Sequence, residues 1–310
     1  MNKKKIISII IPTYYSSEVI LRCLESLKSQ TYKNFEVIIV DGHSNDHIEK
    51  IIKNINNIKL KFIDMGKNVG FSKLSNFGRK FSEGDYLFFL NPDTELINKN
   101  TLSELMEKLK ENPTFGTIGP IQIQHHSDPY LVKWIYSIPK FGLFKFLPIN
   151  QYVRNFSKVF SRVKDKHNIL YVDYVPGCAL LIKKSIFDSI GGFNETFFLY
   201  FEDTDLCLKL WKKGYTPVLL KNLYIFHQSG HTDKFVSSDL KLFHFWRSKT
   251  IFYRIWGMAA IPLQIAILLT DSLSYLLLGN KLKSIFGAVF GFFYGLFNLN
   301  DYKPINKLLN

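Results

Sequence analysis

The stretch GDYLFFLNPDTEL, residues 84–96, does most to decide how this chain should fold. Its apolar run YLFFL shows no alternation of polar and apolar side chains, which is typical of a strand buried on both faces. The run ends at Asn91-Pro92-Asp93. Proline and aspartate commonly end strands and begin turns, which is one interpretation. The other is chemical, because ligands of open α/β sheets bind beyond the carboxyl ends of the strands, where an aspartate can hold a metal ion.

Working outward from this stretch, solid apolar strands alternate with segments of helical periodicity. Strands are predicted over residues 6–11, 35–40, 60–65, 85–90 and 217–226. Apolar residues recur at helical spacing over residues 19–27, 48–55, 71–81, 102–109 and 206–211. Solid strands separated by helices predict an α/β fold, with a mostly parallel sheet flanked by helices on both faces.

The size and composition fit one large domain with an appendage. The chain has 310 residues, of which 46% are hydrophobic, enough to bury a core. We predict a catalytic-type domain over residues 1–235, interrupted by a basic and aromatic segment at 122–166 that faces the acceptor or the membrane, and a helical, amphipathic and apolar membrane-associating region over 236–310. The three cysteines lie far apart without a CxxC pair, which favours a reducing compartment over a disulfide framework or structural zinc. The apolar stretch at the N-terminus is too short for a signal peptide, so export is not expected.

The charge is strongly basic, with 40 Lys and Arg against 26 Asp and Glu, a net charge of +14. Candidate partners are nucleic acid, an anionic membrane surface or phosphorylated substrates. The mixture of aromatic and basic residues at 122–166 suits lipid headgroups, and would also suit single-stranded nucleic acid. The apolar stretches 255–279 and 285–299 favour the membrane, as two helices lying in one leaflet. The alternative for these stretches is a pair of buried helices capping the domain, or a homo-oligomer interface.

Three predicted strands end in turn or acidic residues: Pro12-Thr13-Tyr14, Asp41-Gly42-His43-Ser44 and Asn91-Pro92-Asp93. In a parallel sheet such ends lie on one edge, so they should converge on one crevice. The chain has neither GxGxxG after the first strand nor GxxxxGK[ST], which argues against a dinucleotide oxidoreductase and a P-loop NTPase. A nucleotide site without a glycine-rich loop can neutralise the diphosphate with Mg²⁺ or Mn²⁺ held by a carboxylate.

Two further segments carry candidate chemistry. In LYFEDTDLCLKLWKKG, Glu202, Asp203 and Asp205 open a predicted helix, where the dipole favours acidic residues. The aromatic run just before them would raise the pKa of a neighbouring carboxylate, which suits a general base. In IFHQSGHT, His227 follows the last predicted strand and could ligate a metal or contact phosphate.

In chain order, six segments resemble the inverting glycosyltransferase family two, which has the GT-A fold, and most of all its rhamnosyltransferase-type branch. They are SIIIPTYY (8–15), VIIVDGHSND (37–46), NVGFSKLSNFG (68–78), YLFFLNPDTEL (86–96), GCALLIKKSIFDSIGGFNETFFLYFEDTDLCLKL (177–210) and FHQSGHT (226–232). Each segment is weak evidence alone, but the ordered set is specific. The resemblance implies a GT-A, Rossmann-like sheet over most of residues 6–232.

The resemblance implies a set of donor-binding residues. These are Pro12, Thr13, Tyr14 and Asp41 for the nucleoside, Asn68, Gly70, Phe71 and Asn76 for a segment closing over the donor, Asn91 for the ribose or metal surroundings, and Gly177 and Cys178 beside the donor sugar. The Asp41 carboxylate would accept a hydrogen bond from the imide of a pyrimidine ring.

It also implies the metal and catalytic residues. Asn91 replaces the first acid of the family's DxD-type motif, so Asp93, with His227, is expected to hold Mg²⁺ or Mn²⁺. Asp203 is expected to be the base that takes the acceptor proton, with Glu202 orienting it.

The function implied is inverting transfer of a sugar from a nucleoside-diphosphate sugar, dTDP-rhamnose or a UDP-hexose, to a hydroxyl of a glycan acceptor. The acceptor is expected to be linked to a polyprenyl diphosphate, at the cytoplasmic face of the cell membrane, in cell-surface polysaccharide synthesis. No QxxRW segment follows the Glu-Asp pair, so addition of one or a few sugars is expected. The alternatives are a nucleotidyltransferase, which would want a glycine-rich N-terminal signature, or a non-catalytic protein binding a membrane surface or nucleic acid. No nucleic-acid partner is expected.

Overall fold

The computed structural model describes residues 6–53, 55–123, 164–166, 168–228, 236–256, 264–266, 268–269 and 282–297. Within this part of the chain, ten strands form one sheet. The strands are β1 (Ile7–Thr13), β2 (Phe35–Asp41), β3 (Leu60–Asp64), β4 (Tyr86–Leu90), β5 (Thr94–Leu96), β6 (Phe115–Ile123), β7 (Lys164–Lys166), β8 (Ile169–Tyr171), β9 (Ala179–Lys183) and β10 (Thr216–His227). The helices are α1 (Ile20–Lys28), α2 (Ile48–Ile52), α3 (Phe71–Lys80), α4 (Thr101–Glu111), α5 (Lys184–Ser189), α6 (Glu202–Lys212), α7 (Ser238–Trp256) and α8 (Leu282–Phe297).

The central strands are buried on both faces, as their solid apolar runs predict. Alternate residues of β1 enter different clusters: Ile9 packs in one with Leu24 of α1, and Ile10 packs in another with Phe89 of β4. Because successive side chains of a strand point to opposite faces, a strand covered by helices on both sides needs an unbroken apolar run. The α/β architecture that the sequence predicts is therefore confirmed.

The sheet order is β3-β2-β1-β4-β9-β6-β10-β8-β7, with β5 paired to β10. The strands β1, β2, β3 and β4 are parallel, and Thr13 at the end of β1 lies beside Asp41 at the end of β2. The strands β5, β8 and β9 run against the main direction, which the sequence did not predict. Since β9 starts beside the end of β4, with Ala179 paired to Leu90, the residues just before it reach the carboxyl edge. The strand β10 is parallel to β6, so His227 ends at that edge too.

Several elements differ from the sequence-based expectation: β1 extends to Thr13 rather than ending at residue 11, and β6 is not among the predicted strands. The helix expected over residues 48–55 ends at Ile52, and the last strand is longer than expected, from Thr216 to His227. All three cysteines are buried and free.

The helices α7 and α8 pack closely along a glycine face. A Cβ built on Gly287 would lie 2.2 Å from the Asp239 carbonyl oxygen, and one on Gly291 would lie 2.2 Å from the Phe243 carbonyl oxygen. Only glycine permits helix backbones to approach this closely. The part of the apolar run within α8 therefore serves, on one side, as a helix-packing surface.

The helix α7 also packs against the part of the fold that precedes α6. Its Ile251 and Phe252 share a cluster with Phe197 and with Leu208 of α6. The first helix of the predicted membrane-associating region is thus joined to the predicted catalytic domain. Most of segment 122–166 and of stretch 255–279 lies outside the described residues. Among the described helices, none combines the length and apolar character needed to cross a bilayer.

Candidate active site

The ends of β1 and β2 form a rigid carboxylate site. The Thr13 hydroxyl donates to Asp41 Oδ1 at 2.8 Å, the Ser44 N–H donates to Oδ2 at 2.6 Å, and the Ser44 hydroxyl donates to Oδ1 at 2.6 Å. Asp41 is buried, and Pro12 beside Thr13 is buried as well. Three donors fix the carboxylate in one orientation, which suits it to accept a further hydrogen bond from a ligand.

The segment after β3 closes beside this carboxylate. The Asn68 side-chain oxygen accepts a hydrogen bond from the Gly70 N–H at 3.0 Å, and Asn68 also interacts with the Tyr14 side chain. Burial raises the pKa of Tyr14 above its ordinary value. Gly70 has φ +85°, and a Cβ there would lie 2.3 Å from the Phe198 carbonyl oxygen, so only glycine fits. This packing joins the segment to the aromatic loop ahead of α6.

The end of β4 and the end of β10 bring Asp93 and His227 together. Asp93 Oδ1 lies 3.2 Å from His227 Nε2, and Asn91 Nδ2 lies 3.4 Å from the same nitrogen. The Gln228 N–H donates to the Asp93 carbonyl oxygen at 3.0 Å, which ties the turn after β4 to the end of β10. Burial disfavours the charged form of His227, but its interactions with Cys178 and Asp93 outweigh burial and raise its pKa to about 10.

Asp93 and His227 fit a hard divalent cation that has only a few protein ligands. In the described ranges, no three or more His, Cys, Asp or Glu side chains cluster as a metal site. Adjacent ligands of an octahedral Mg²⁺ ion lie about 3 Å apart at bond lengths of about 2.1 Å. The 3.2 Å between Asp93 Oδ1 and His227 Nε2 matches that spacing. Such an ion takes its other ligands from water and phosphate oxygens. A ligating His227 would have to be neutral, so metal binding would release its proton.

The acids at the start of α6 are connected to the turn after β4 through the residues before β9. The Gly177 N–H donates to Asp203 Oδ2 at 3.0 Å, and the Thr204 N–H donates to Oδ1 at 2.6 Å. The next residue, Cys178, accepts a hydrogen bond at its carbonyl oxygen from the Asn91 N–H, at 2.9 Å. Two consecutive residues before β9 therefore connect Asp203 to the Asn91 turn.

The two acids differ in their surroundings. Glu202 is buried, and its Oε2 has no hydrogen-bond partner among the described residues, whereas Asp203 is partly exposed. Burial raises the pKa of Glu202 well above its ordinary value, and the Asp203 carboxylate raises it further. Burial also raises the pKa of Asp203, against the hydrogen bonds from Gly177 and Thr204, which lower it.

The backbone ahead of the acids is strained. Tyr200 has φ +70° and Phe201 has φ +68°, a conformation that costs a residue with a side chain roughly 1–3 kcal/mol. The helix α7 stabilises this turn, because the Ser248 hydroxyl donates to the Leu199 carbonyl oxygen at 2.7 Å. Strain held by packing in this way is typical of functional sites.

Asn76 and Asp205 make contacts that hold neighbouring parts of the fold together. The Asn76 amide donates to the Phe193 carbonyl oxygen at 2.9 Å and accepts from the Phe193 N–H at 3.1 Å. Asn76 thus holds the loop before α6, and its donor-binding role stays a prediction that these contacts do not support. Asp205 is structural, since it pairs with Lys209 at 2.8 Å and accepts from the Trp256 indole N–H at 2.9 Å.

Two site residues escaped the sequence reasoning. Gln122 at the end of β6 lies against His227, with 2.7 Å between the Gln122 side-chain nitrogen and His227 Nδ1. Thr204 holds Asp203 through its N–H and its hydroxyl. The rule that strand ends carry function could have found Gln122, whereas nothing in the sequence distinguishes Thr204.

A comparison of the sequence with known protein families gives a match over several of the strand ends that form this site. The family model described as Glycosyl transferase family 2 matches residues 8–189. The chain belongs to this family. The match includes the ends of β1, β2 and β4 and the residues before β9, but it stops short of α6 and β10.

Several curated relatives of this family-2 chain are named as transferases of particular sugars. The low-salt glycan biosynthesis hexosyltransferase Agl10 of Haloferax volcanii is 28% identical over 207 residues, covering 66% of this chain and 61% of that protein. The N-acetylglucosaminyl-diphospho-decaprenol L-rhamnosyltransferase of Mycobacterium tuberculosis is 23% identical over 244 residues, covering 73% of this chain and 77% of that protein. The chain spans less than two thirds of several such relatives, including 38% of the Staphylococcus aureus poly(ribitol-phosphate) β-N-acetylglucosaminyltransferase TarP.

Solved structures show the same fold. The mannosyltransferase PcManGT of Pyrobaculum calidifontis, in complex with GDP-Man and Mn²⁺, has a TM-score of 0.60 at 15% identity, covering 96% of this chain and 89% of that chain. Staphylococcus aureus TarS residues 1–349, in complex with UDP-GlcNAc, has a TM-score of 0.55 at 19% identity, covering 79% and 65%. The predicted GT-A-like fold is thereby confirmed.

Proposed function

We propose that the chain catalyses inverting transfer of a sugar from a nucleoside-diphosphate sugar to a hydroxyl group of a glycan acceptor. The observation that most supports this is the link through Gly177 and Cys178, which hydrogen-bond Asp203 and Asn91 respectively. A general-base candidate is thereby next to a pair of residues suited to a divalent cation. The complex of PcManGT with GDP-Man and Mn²⁺ supports a nucleotide sugar and a divalent ion as ligands of this fold.

The nucleoside would bind at the ends of β1 and β2. Asp41, oriented by Thr13 and Ser44, would accept a hydrogen bond from the imide of a pyrimidine base. Tyr14 and Asn68, which interact with each other, would line the same site. We take dTDP-rhamnose as the first candidate donor, since a rhamnosyltransferase is among the relatives, and UDP-hexoses as the next.

Asp93 and His227 would hold Mg²⁺ or Mn²⁺. When bound, the ion supplies electrostatic stabilisation of the charge that develops on the departing diphosphate. Asn91 would orient the metal surroundings or the ribose. Gly177 and Cys178 would border the donor sugar, where the absence of a side chain at Gly177 leaves room between Phe71 and Asp203.

Asp203 would take the proton of the acceptor hydroxyl. Its two oxygens are held by Gly177 and Thr204, it is partly exposed, and its raised pKa strengthens it as a base. Glu202 is buried behind it and would orient Asp203 or the acceptor. One base on the attacking side gives inversion in a single displacement, without the second, nucleophilic carboxylate that retaining glycosidases use.

The acceptor is proposed to be a glycan linked to a polyprenyl diphosphate at the anionic inner surface of the cell membrane. Four phenylalanines follow one another at helical spacing on the exposed side of α8: Phe286, Phe290, Phe293 and Phe297. Together with the net charge of +14 they would suit the headgroup region of an anionic bilayer. Serine at all four positions should reduce co-sedimentation with phosphatidylglycerol vesicles, and unchanged sedimentation would remove this part of the proposal.

Nucleoside diphosphate release from a panel of nucleotide sugars, with and without Mn²⁺, tests the proposed reaction. We expect release of the nucleoside diphosphate, and we expect it to require Mn²⁺ and to occur with one donor of the panel. Release of pyrophosphate from nucleoside triphosphate and sugar phosphate would indicate a nucleotidyltransferase instead. No turnover of any donor with any cation would favour a non-catalytic protein.

A further inference from the structure

The imidazole ring of His227 has different neighbours on its two nitrogens. Nε2 faces Asp93 Oδ1 at 3.2 Å and Asn91 Nδ2 at 3.4 Å, the side on which a cation would bind. Nδ1 faces the side-chain nitrogen of Gln122, at 2.7 Å. The side-chain oxygen of Gln122 accepts a hydrogen bond from the Cys178 thiol at 3.5 Å.

The position of Gln122 follows from the sheet. Gln122 lies in β6, next to Ile225 of β10, two residues before His227. The parallel pairing of β6 and β10 thus brings two strand ends, 105 residues apart in sequence, into side-chain contact. Gln122 is partly buried there, so this contact is shielded from water.

The orientation of the Gln122 amide decides which ring nitrogen of His227 carries a proton. In the structure the amide nitrogen faces the ring and donates to Nδ1, so the proton of a neutral ring must sit on Nε2, pointing at Asp93. If the amide is turned over, its oxygen faces the ring and accepts the Nδ1 proton, and the Nε2 lone pair is free to bind a cation. In that orientation the amide nitrogen donates to the Cys178 sulfur, a weak acceptor.

We propose that Gln122 is a positioning residue for the divalent cation. When the cation binds, the Gln122 amide turns over, so that its oxygen holds the Nδ1 proton of His227 and Nε2 is presented as a metal ligand. The proposal rests on the proposed function, because it assumes that Asp93 and His227 bind the cation. Partners that orient ligating histidines in this way are worth roughly 10- to 100-fold in metal affinity.

Mn²⁺ binding to the full chain, followed by electron paramagnetic resonance without any donor, tests this. Gln122→Leu keeps the approximate volume but removes both polar atoms, so we expect Mn²⁺ affinity to fall roughly 10- to 100-fold. Gln122→Glu can only accept, so it should keep wild-type affinity or exceed it. Gln30→Leu is the matched control: Gln30 is a buried glutamine bonded to Asn98 and Leu102, after the end of α1. Its loss should leave Mn²⁺ affinity unchanged.

A second measurement reports directly which ring nitrogen of His227 carries the proton. Ring ¹⁵N shifts of histidine-labelled protein with Mg²⁺, assigned with His227→Gln, should show the proton on Nδ1 in the wild type and in Gln122→Glu. A proton on Nε2 in the Mg²⁺-bound protein would overturn the proposal, as would Gln122→Leu binding Mn²⁺ within twofold of wild type. If wild type itself binds no Mn²⁺, the metal assignment fails and this inference with it. If only the Gln122 variants behave unexpectedly, the proposed function stands.

Discussion

Replacing Asp203 by asparagine removes the proposed base while keeping its size. The carboxylate accepts from Gly177 through one oxygen and from Thr204 through the other. Asparagine has a single acceptor oxygen, so one of these donors must face an NH₂ group. An N–H left without an acceptor costs about 1–3 kcal/mol. Removing a charge from this partly buried position, and with it the repulsion of Glu202, acts in the opposite direction. We therefore expect a small change in the free energy of unfolding.

The effect on catalysis should be much larger than the effect on stability. A general base contributes about 10²- to 10⁴-fold, which is roughly 2.7–5.4 kcal/mol of barrier at 1.36 kcal/mol per tenfold. We expect kcat for Asp203→Asn to fall by that factor. The nucleotide is proposed to bind through Asp41 and Asp93, so the Kd for the donor should stay within about threefold of wild type.

Two assays separate these quantities. Nucleoside diphosphate release measures turnover, with water standing in for the acceptor, and calorimetric titration measures donor affinity. Asp188→Asn is the control, because Asp188 is a carboxylate of the same domain that pairs with Arg79. It should leave both quantities unchanged. If donor affinity of Asp203→Asn collapses while kcat of the bound complex is preserved, Asp203 is not the base.

Three other substitutions test the site. Asp93→Ala should weaken Mn²⁺-dependent donor binding by roughly tenfold or more, and an unchanged Mn²⁺ requirement in titration would contradict its role. Since the pKa of Glu202 is raised in the folded state, its contribution to stability is present below the ordinary value of about 4.3 and is lost as pH rises through the folded pKa. In urea unfolding, the free energy of unfolding of Glu202→Gln should therefore rise relative to that of the wild type between pH 4.5 and 8. A difference between the two free energies that does not change with pH would contradict this. Gly70→Ala should destabilise by clearly more than Gly66→Ala, which has open space around it and should cost about 1–2 kcal/mol for its positive φ alone; equal shifts in Tm would argue against the tight packing at Gly70.

The sequence predicts the parallel half of the fold well, because a strand that is buried on both faces is apolar along its whole length. The strand predicted at 85–90 is found at Tyr86–Leu90, and the predicted convergence of strand ends appears as the pairing of Thr13 with Asp41. Both depend on local apolar runs and on the geometry of parallel sheets.

The remaining features depend on contacts between distant segments. An apolar run such as Ala179–Lys183 indicates burial but not direction, so the antiparallel course of β9 could not be predicted. The contact of Gln122 with His227 spans 105 residues and arises only from the pairing of β6 with β10. Gly287 and Gly291 appear in the sequence as part of an apolar stretch, and only the structure shows them packed against α7.

Crystals grown with Mn²⁺ and a pyrimidine nucleoside diphosphate would test the central claim most directly, through the anomalous signal of the metal. We expect one Mn²⁺ peak within about 2.1 Å of Asp93 Oδ1 and His227 Nε2. The ion should contact the diphosphate of the nucleotide, and the pyrimidine ring should lie against Asp41. A nucleotide bound elsewhere, or a Mn²⁺ peak remote from Asp93 with the nucleotide present, would contradict it.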